Sequence, residues 1–391
     1  MIAIKNAKIV LENEVLKDAY LLIENDRIKK IGRGEIPEGA EEIDAKGLYV
    51  GPGLVDIHVH GGDGYMFDEN PVKAAEHFLK NGTTTLLATL YYNLSKEEFL
   101  NAVKTVKKDM DKTGNIAGFY MEGPYMNPKY GATPESNKWK GEIKKADYEE
   151  IIKEAGNLAK VWVVAPEREG VEEFVKDAKK VNPDAVISVG HSEASPLQIE
   201  KLKKYGIKLL THCMDATGRP EPEFSGTRTC GPDEACFLDD DMYAEIICDS
   251  QAIHVNKEFI KLIIKIKGKE KVILISDSFA LEGKCPDRLS HITDLQFDEN
   301  GDLCGSKLTL NVACRNVIKH TGCSICDAFL MASTNPAKLL GMDGEIGSIS
   351  EGKLADLVFV DEDFNVEKVM LKGEVYNERM ICYVKNRNVK N

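Results

Sequence analysis

Two histidines one residue apart, His58 and His60, stand in Val55-Asp-Ile-His-Val-His60, directly before Gly61-Gly62. Val55, Ile57 and Val59 alternate with Asp56, His58 and His60, the period of a strand, so both imidazoles project from one face. Two imidazoles on one strand face, at a strand end followed by glycines, can close on one metal ion. Alone, such a pair is as readily a feature of a hydrophobic strand, so its meaning depends on what else the chain offers. Glu122 ends the run Gly118–Glu122, His191 follows Val186–Gly190, His212 ends Lys208–His212 and Asp277 ends Val272–Asp277. Only eight histidines occur in the chain, and four of them fall at these strand ends. Four imidazoles, a glutamate and an aspartate suit Zn²⁺ or Fe²⁺, which accept nitrogen and oxygen ligands. An open coordination position lowers the pKa of bound water to about 7, and the ion polarises a carbonyl oxygen. A carboxylate beside that water, Asp277, can take its proton and later hand it to a leaving amine. Hydrolysis of a C–N bond follows from that set.

These residues become neighbours only if the elements between them bring the strand ends together. Candidate strands end near His60, Leu90, Glu122, Pro166, Gly190, His212, Asp249 and Asp277. Helical patterns lie between them at Pro71–Asn81, Ser95–Asp111, Ala146–Leu158, Val171–Lys180, Pro196–Tyr205 and Asn256–Ile266. Alternating strand and helix implies parallel strands with right-handed crossovers. Eight such units over this length predict an α/β fold, a (β/α)8 TIM barrel whose C-terminal strand ends share one mouth. An open doubly wound sheet is the alternative, but no Gly-x-Gly-x-x-Gly turn follows any strand, so dinucleotide binding has no support.

Both ends of the chain read differently. Ala3–Leu11, Val15–Ile23, Arg27–Ile31 and Glu42–Tyr49 are short strands joined by turns, as are Ala355–Asp361, Val366–Lys372 and Glu374–Tyr376. The expectation is a small β-sandwich assembled from both termini, residues 1–52 and 346–391, around a barrel at 53–345. After the eighth strand, Leu281–Leu310 reads as a loop with a small hairpin, followed by helices at Val312–His320 and Ser324–Ser333.

A net charge of −13 argues against nucleic acid or an anionic membrane as partner, since both need a concentrated basic surface. No apolar run approaches a membrane span, and Met1–Val10 is too polar for a secretory signal, which predicts a cytoplasmic protein. The ten cysteines show no disulfide spacing, and Cys323-Ser-Ile-Cys326 reads as helix-face cysteines. An anionic small substrate would need locally placed cations. Arginine is scarce, yet Arg219 and Arg228 fall in one loop-like segment.

The order Pro-Gly-Leu-Val-Asp-Ile-His-Val-His, Glu122-Gly-Pro, Gly190-His-Ser, Thr211-His and Ser276-Asp-Ser resembles the amidohydrolase superfamily. Glu122-Gly-Pro, Leu303-Cys-Gly-Ser-Lys-Leu-Thr-Leu and Gly347-Ser-Ile-Ser-Glu-Gly-Lys-Leu-Ala-Asp-Leu-Val are similar, within it, to the N-acetylglucosamine-6-phosphate deacetylase family. The resemblance implies that Glu122, His191 and His212 bind a principal divalent metal. It further implies that His58 and His60 join them where two ions are bound per subunit, and that Asp277 is the acid/base. Relatives that bridge their metals with a carboxylated lysine fit less well, because no lysine ends the fourth strand, Val161–Glu167.

His254 matches the family histidine that contacts the sugar and its phosphate, and Arg219 and Arg228 are both candidates for the phosphate-binding arginine. That arginine often comes from a neighbouring subunit, so a homodimer is implied. Two positions depart from the family. Thr211-His-Cys-Met-Asp215-Ala216-Thr stands where the family has Thr-His-x-x-Asn-Ala-Met, and Gly131-Ala-Thr133-Pro where many members carry His or Gln. An aspartate near a phosphate is unfavourable, since like charges repel at close range. The expected reaction is therefore deacetylation of a phosphorylated amino sugar, with another N-acyl substrate as the alternative. A catalytically inactive binding subunit is the reading from a different class.

Overall fold

The computed structural model describes residues 1–281 and 283–376. Eight parallel strands stand side by side in chain order: Leu54–Val59, Thr83–Tyr91, Ile116–Glu122, Ala159–Val164, Val186–Val189, Ile207–Leu210, Tyr243–Ile247 and Val272–Ile275. The first and eighth meet as well. The Asp277 amide donates to the His58 carbonyl at 2.9 Å, and the His60 amide to the Ser278 carbonyl at 2.9 Å. The sheet thus closes into the expected barrel. Every residue of Leu54–Val59 is buried, as befits a strand covered on both faces.

Helices cover the outside, each with an apolar stripe turned to the strands. Lys96–Thr113 starts on a capping box of Ser95 and Glu98, and Pro196–Lys203 on one of Ser195 and Gln198, which satisfies orphan amides at each first turn. The sequence reading missed a short helix, Pro232–Leu238, after the sixth strand. The expected helix Ser324–Ser333 is Ile325–Phe329 instead. It runs into a π-turn, Leu330–Thr334, and then a last helical turn, Asn335–Leu339.

Strands from both ends of the chain form one eight-stranded sheet. Leu357–Val360 pairs with Tyr49–Pro52, which pairs with Ile2–Val10. The far edge, Arg27–Gly32, is met by the segment at Lys353 and Leu354. Ile28 from that edge and Met370 from the other side therefore share one buried cluster with Ile4, Leu21 and Phe359. The expected strand Glu42–Tyr49 is two strands, Glu41–Asp44 and Tyr49–Pro52, because Lys46 and Gly47 both take left-handed backbone and turn the chain. Tyr49–Pro52 passes directly into the first barrel strand through Gly53, where a Cβ would lie 2.0 Å from Thr84 Oγ1. That close approach requires glycine. Residues 377–391, the end of the expected C-terminal part, lie outside the described residues, as does residue 282 in the loop after the eighth strand. That loop carries the expected hairpin, Leu295–Phe297 with Leu303–Ser306.

Candidate active site

Glu122 stands between two groups of side chains at the barrel mouth. Its Oε1 lies 2.8 Å from His191 Nε2, 3.4 Å from His212 Nε2 and 3.6 Å from His58 Nε2. Its Oε2 lies 3.3 Å from His60 Nε2. Asp277 Oδ1 faces the first strand, 3.5 Å from His58 Nε2 and 3.2 Å from His60 Nε2. The ligand-type atoms of Glu122, His191 and His212 lie within 4.8 Å of one another, as do those of His58, His60 and Asp277. All six residues are buried.

The donor set fits a divalent ion. His191 Nε2 and His212 Nε2 face each other at 3.0 Å, and one proton at most can lie between two ring nitrogens that close. Among the described residues His58 Nε2 has no hydrogen-bond partner although it is fully buried, and an orphaned buried polar atom points to a missing ligand. Two of the four Nδ1 atoms are held from behind, whereas those of His60 and His191 are buried without a partner among the described residues. His212 Nδ1 donates to the Asp215 carbonyl at 3.0 Å, and His58 Nδ1 to the Glu245 carboxylate at 3.2 Å. In the neutral ring each bond leaves Nε2 with its lone pair toward the site.

The backbone is strained where these side chains leave the strands. His191, His212 and Asp277 have φ of +46°, +29° and +46°, each costing about 1–3 kcal/mol for a non-glycine residue. Neighbours hold them there. The His191 carbonyl accepts from Asn127, that of His212 from Asp215 and that of Asp277 from Ser306, at 2.8–3.0 Å.

Charge compensation is mutual. Burial pushes the Glu122 carboxyl up, but the His58 charge and hydrogen bonds from His191 and His212 hold it well below the usual range. Asp277 is likewise depressed, burial being outweighed by His58 and His60. Burial lowers His191. At His212 burial is outweighed by Glu122, Asp215 and Asp277, which push it up to about 9.

The cavity above this group is lined by Thr133, Asp215, Ala216 and His254, as expected, together with Tyr91, Tyr92, Phe279 and Cys304. His254 Nδ1 faces Asp249 Oδ2 at 3.0 Å and Nε2 faces the Gly305 carbonyl at 2.9 Å. Both partners can only accept, so the ring donates twice as an imidazolium. The structure does not bring Arg219 and Arg228 to this wall. Within the chain both turn to Glu234 Oε1, at 3.2 and 3.9 Å. Glu245, Asp249 and Tyr120 were missed by the sequence reading. A charged residue inside the apolar strand Tyr243–Ile247 was the available signal for Glu245.

Fold and site together define a barrel hydrolase built to hold metal at its mouth. The amidohydrolase family model matches residues 49–376, and the chain belongs to that family. Full-length relatives narrow the comparison. An N-acetylglucosamine-6-phosphate deacetylase of Bacillus subtilis is 30% identical, over 95% of this chain and 96% of its own. An N-acetylgalactosamine-6-phosphate deacetylase of Escherichia coli O157:H7 is 29% identical, over 94% and 97%. The crystal structure of N-acetylglucosamine-6-phosphate deacetylase from Pasteurella multocida is 26% identical with a TM-score of 0.84, covering 96% of this chain and all of that one.

Proposed function

We propose that this hydrolase removes the acetyl group of N-acetyl-D-glucosamine 6-phosphate, giving D-glucosamine 6-phosphate and acetate in amino-sugar catabolism. The convergence of His58, His60, Glu122, His191, His212 and Asp277 on one small volume carries the reading. Support for the substrate comes from the B. subtilis relative. A related mycobacterial deacetylase is known in complex with that sugar phosphate, at 25% identity and a TM-score of 0.81.

In this reading Glu122, His191 and His212 hold a principal divalent ion, zinc or iron, and His58 and His60 complete the set for a second. When bound, such an ion supplies Lewis acidity toward the amide carbonyl and toward water. Asp277, which faces the imidazoles of His58 and His60, accepts the proton of the attacking water as the C–O bond forms. It returns that proton to nitrogen as the C–N bond breaks, giving acetic acid and the amine, and the acid's remaining proton passes to the amine or to solvent to leave acetate. The His254 imidazolium supplies fixed positive charge for an anionic sugar substituent. With Arg219 and Arg228 turned away, the phosphate cation is read as arriving from a second copy. The exposed apolar stripe Phe259, Leu262 and Ile266, with Phe224 near Arg228, supports a homodimer. A phosphate ester does not cross a bilayer unaided, so the same reading places the enzyme in the cytoplasm. It also assigns residues 53–345 to the hydrolase barrel and, among the described residues, 1–52 and 346–376 to the sheet domain.

Asp215 on the cavity wall favours a second reading, another N-acyl substrate on the same machinery. Acetate release should be measured in parallel on the 6-phosphates of N-acetylglucosamine and N-acetylgalactosamine and on both free sugars, with metal quantified in the same samples. Preference for the glucosamine phosphate supports the first reading, and indifference to phosphate defeats it.

A further inference from the structure

Below the cavity floor, on the seventh strand, Glu245 is buried with no exposed surface. Its Oε2 is a point on which three strands converge. His58 Nδ1 donates to it at 3.2 Å from the first strand, the Tyr120 hydroxyl at 3.2 Å from the third, and the His212 amide at 3.3 Å from the end of the sixth. The Tyr120 ring also stacks on His58, with centroids 4.2 Å apart and planes 23° from parallel. The Tyr120 oxygen is in turn 2.8 Å from Thr211 Oγ1, which lies 2.6 Å from Ser188 Oγ on the fifth strand. His58 is therefore clamped on one face by a ring and at Nδ1 by a carboxylate, while its Nε2 has no hydrogen-bond partner among the described residues.

We propose that Glu245 is a positioning residue, which fixes the tautomer and the aim of His58 and couples that aim to the His212 backbone. The inference rests on the reading of His58 and His212 as metal ligands and goes beyond it. A carboxylate that can only accept keeps the proton of the neutral ring on Nδ1, so it is Nε2 that presents the lone pair to an ion. Since the same oxygen receives the His212 amide, displacing it disturbs one ligand from each of the two ligand groups. That residue has a left-handed backbone, at φ +29°, and an unsupported amide there would add to its strain.

The test is zinc affinity of the full chain, measured by competition with a chromophoric chelator, for wild type, Glu245→Gln and His58→Asn. The glutamine keeps the volume and one acceptor oxygen but removes the charge and can present a donor to Nδ1. Glu245→Gln should weaken zinc binding 10- to 100-fold, affecting the ion that His58→Asn also affects. The melting point of the zinc-stripped protein should stay near that of wild type. A purely structural Glu245 gives the opposite pattern, a lowered zinc-free melting point with unchanged affinity, and that result overturns the proposal. If Glu245→Gln does not fold, Tyr120→Phe is read in its place. It retains the ring stack and removes one donor, and a several-fold loss of affinity is expected, with none overturning the assignment. Wild type that binds no zinc at all defeats both this inference and the proposed function, whereas tight wild-type binding matched by Glu245→Gln defeats this inference alone.

Discussion

The terminal sheet closes over Ile4, Ile9, Leu21, Leu357 and Phe359, whereas the barrel mouth buries four imidazoles with Glu122, Asp277 and Glu245. In the sheet, each side chain contributes about 25 cal/mol per Å² of apolar surface removed from water, and chain entropy is the main opposing contribution. At the mouth, desolvation opposes every charged group, and left-handed backbone at His191, His212 and Asp277 adds strain. Hydrogen bonds offset part of that cost, and the orphaned His58 Nε2 shows that the offset is incomplete. One region is organised for stability. The other surrenders stability to hold reactive groups in place.

Substitutions can separate the two. Asp277→Asn keeps the shape of the mouth and removes the proton acceptor, so deacetylation should fall by about 10² to 10⁴, with metal content unchanged in elemental analysis. Near-normal turnover would remove Asp277 from its assigned role. Phe359→Ala should do the reverse. Loss of a buried ring costs about 3–5 kcal/mol, read as a lower denaturant midpoint, while kcat of the folded fraction stays at the wild-type value. Removing metal with a chelator should abolish turnover and also lower stability, by about 2.7 kcal/mol relative to protein holding a hundredfold excess of the ion over its Kd. The chelator effect should add to that of Phe359→Ala, because distant sites with no shared partners act independently. A strong departure from additivity would mean that the two regions are one energetic unit.

Much of this contrast is legible before any coordinates. Alternation around Val55, Ile57 and Val59 places His58 and His60 on one face, and the strand ends place Glu122, His191, His212 and Asp277 on one rim once eight strands close. Helix limits fall within a few residues of expectation where a cap marks them, as at Ser95 and Asn256. Contacts that depend on closure are not legible. His58 and Glu245 are 187 positions apart, and no local pattern joins them. Left-handed backbone at histidine has no sequence signature, since nothing about the residue type requires it. Arg219 and Arg228 show the limit of a compositional lead. Their shared segment was visible, but Glu234, on an unrecognised helix, decides where they point.

The smallest expected effect bears on how each region treats a lone carboxylate. Asp277 has two imidazoles beside it and stays ionised, whereas Asp356, buried next to the strand Leu357–Val360, accepts the Lys372 amide at 2.6 Å. Burial pushes its carboxyl up to about 6, only partly countered by that amide and the Lys372 charge. The folded pKa exceeds the unfolded value, so the fold binds the extra proton between them. The stabilisation is complete below about pH 4 and is lost as pH rises through 6, an amount of order 1–3 kcal/mol. Asp356→Asn cannot ionise and keeps an oxygen for the Lys372 amide, so its stability should not carry this slope. Urea midpoints of both proteins at intervals from pH 4 to 7 should diverge as pH rises, with the variant the more stable at neutrality. Parallel curves would mean that Asp356 is charged in the fold, and that the sheet, like the mouth, tolerates a buried charge.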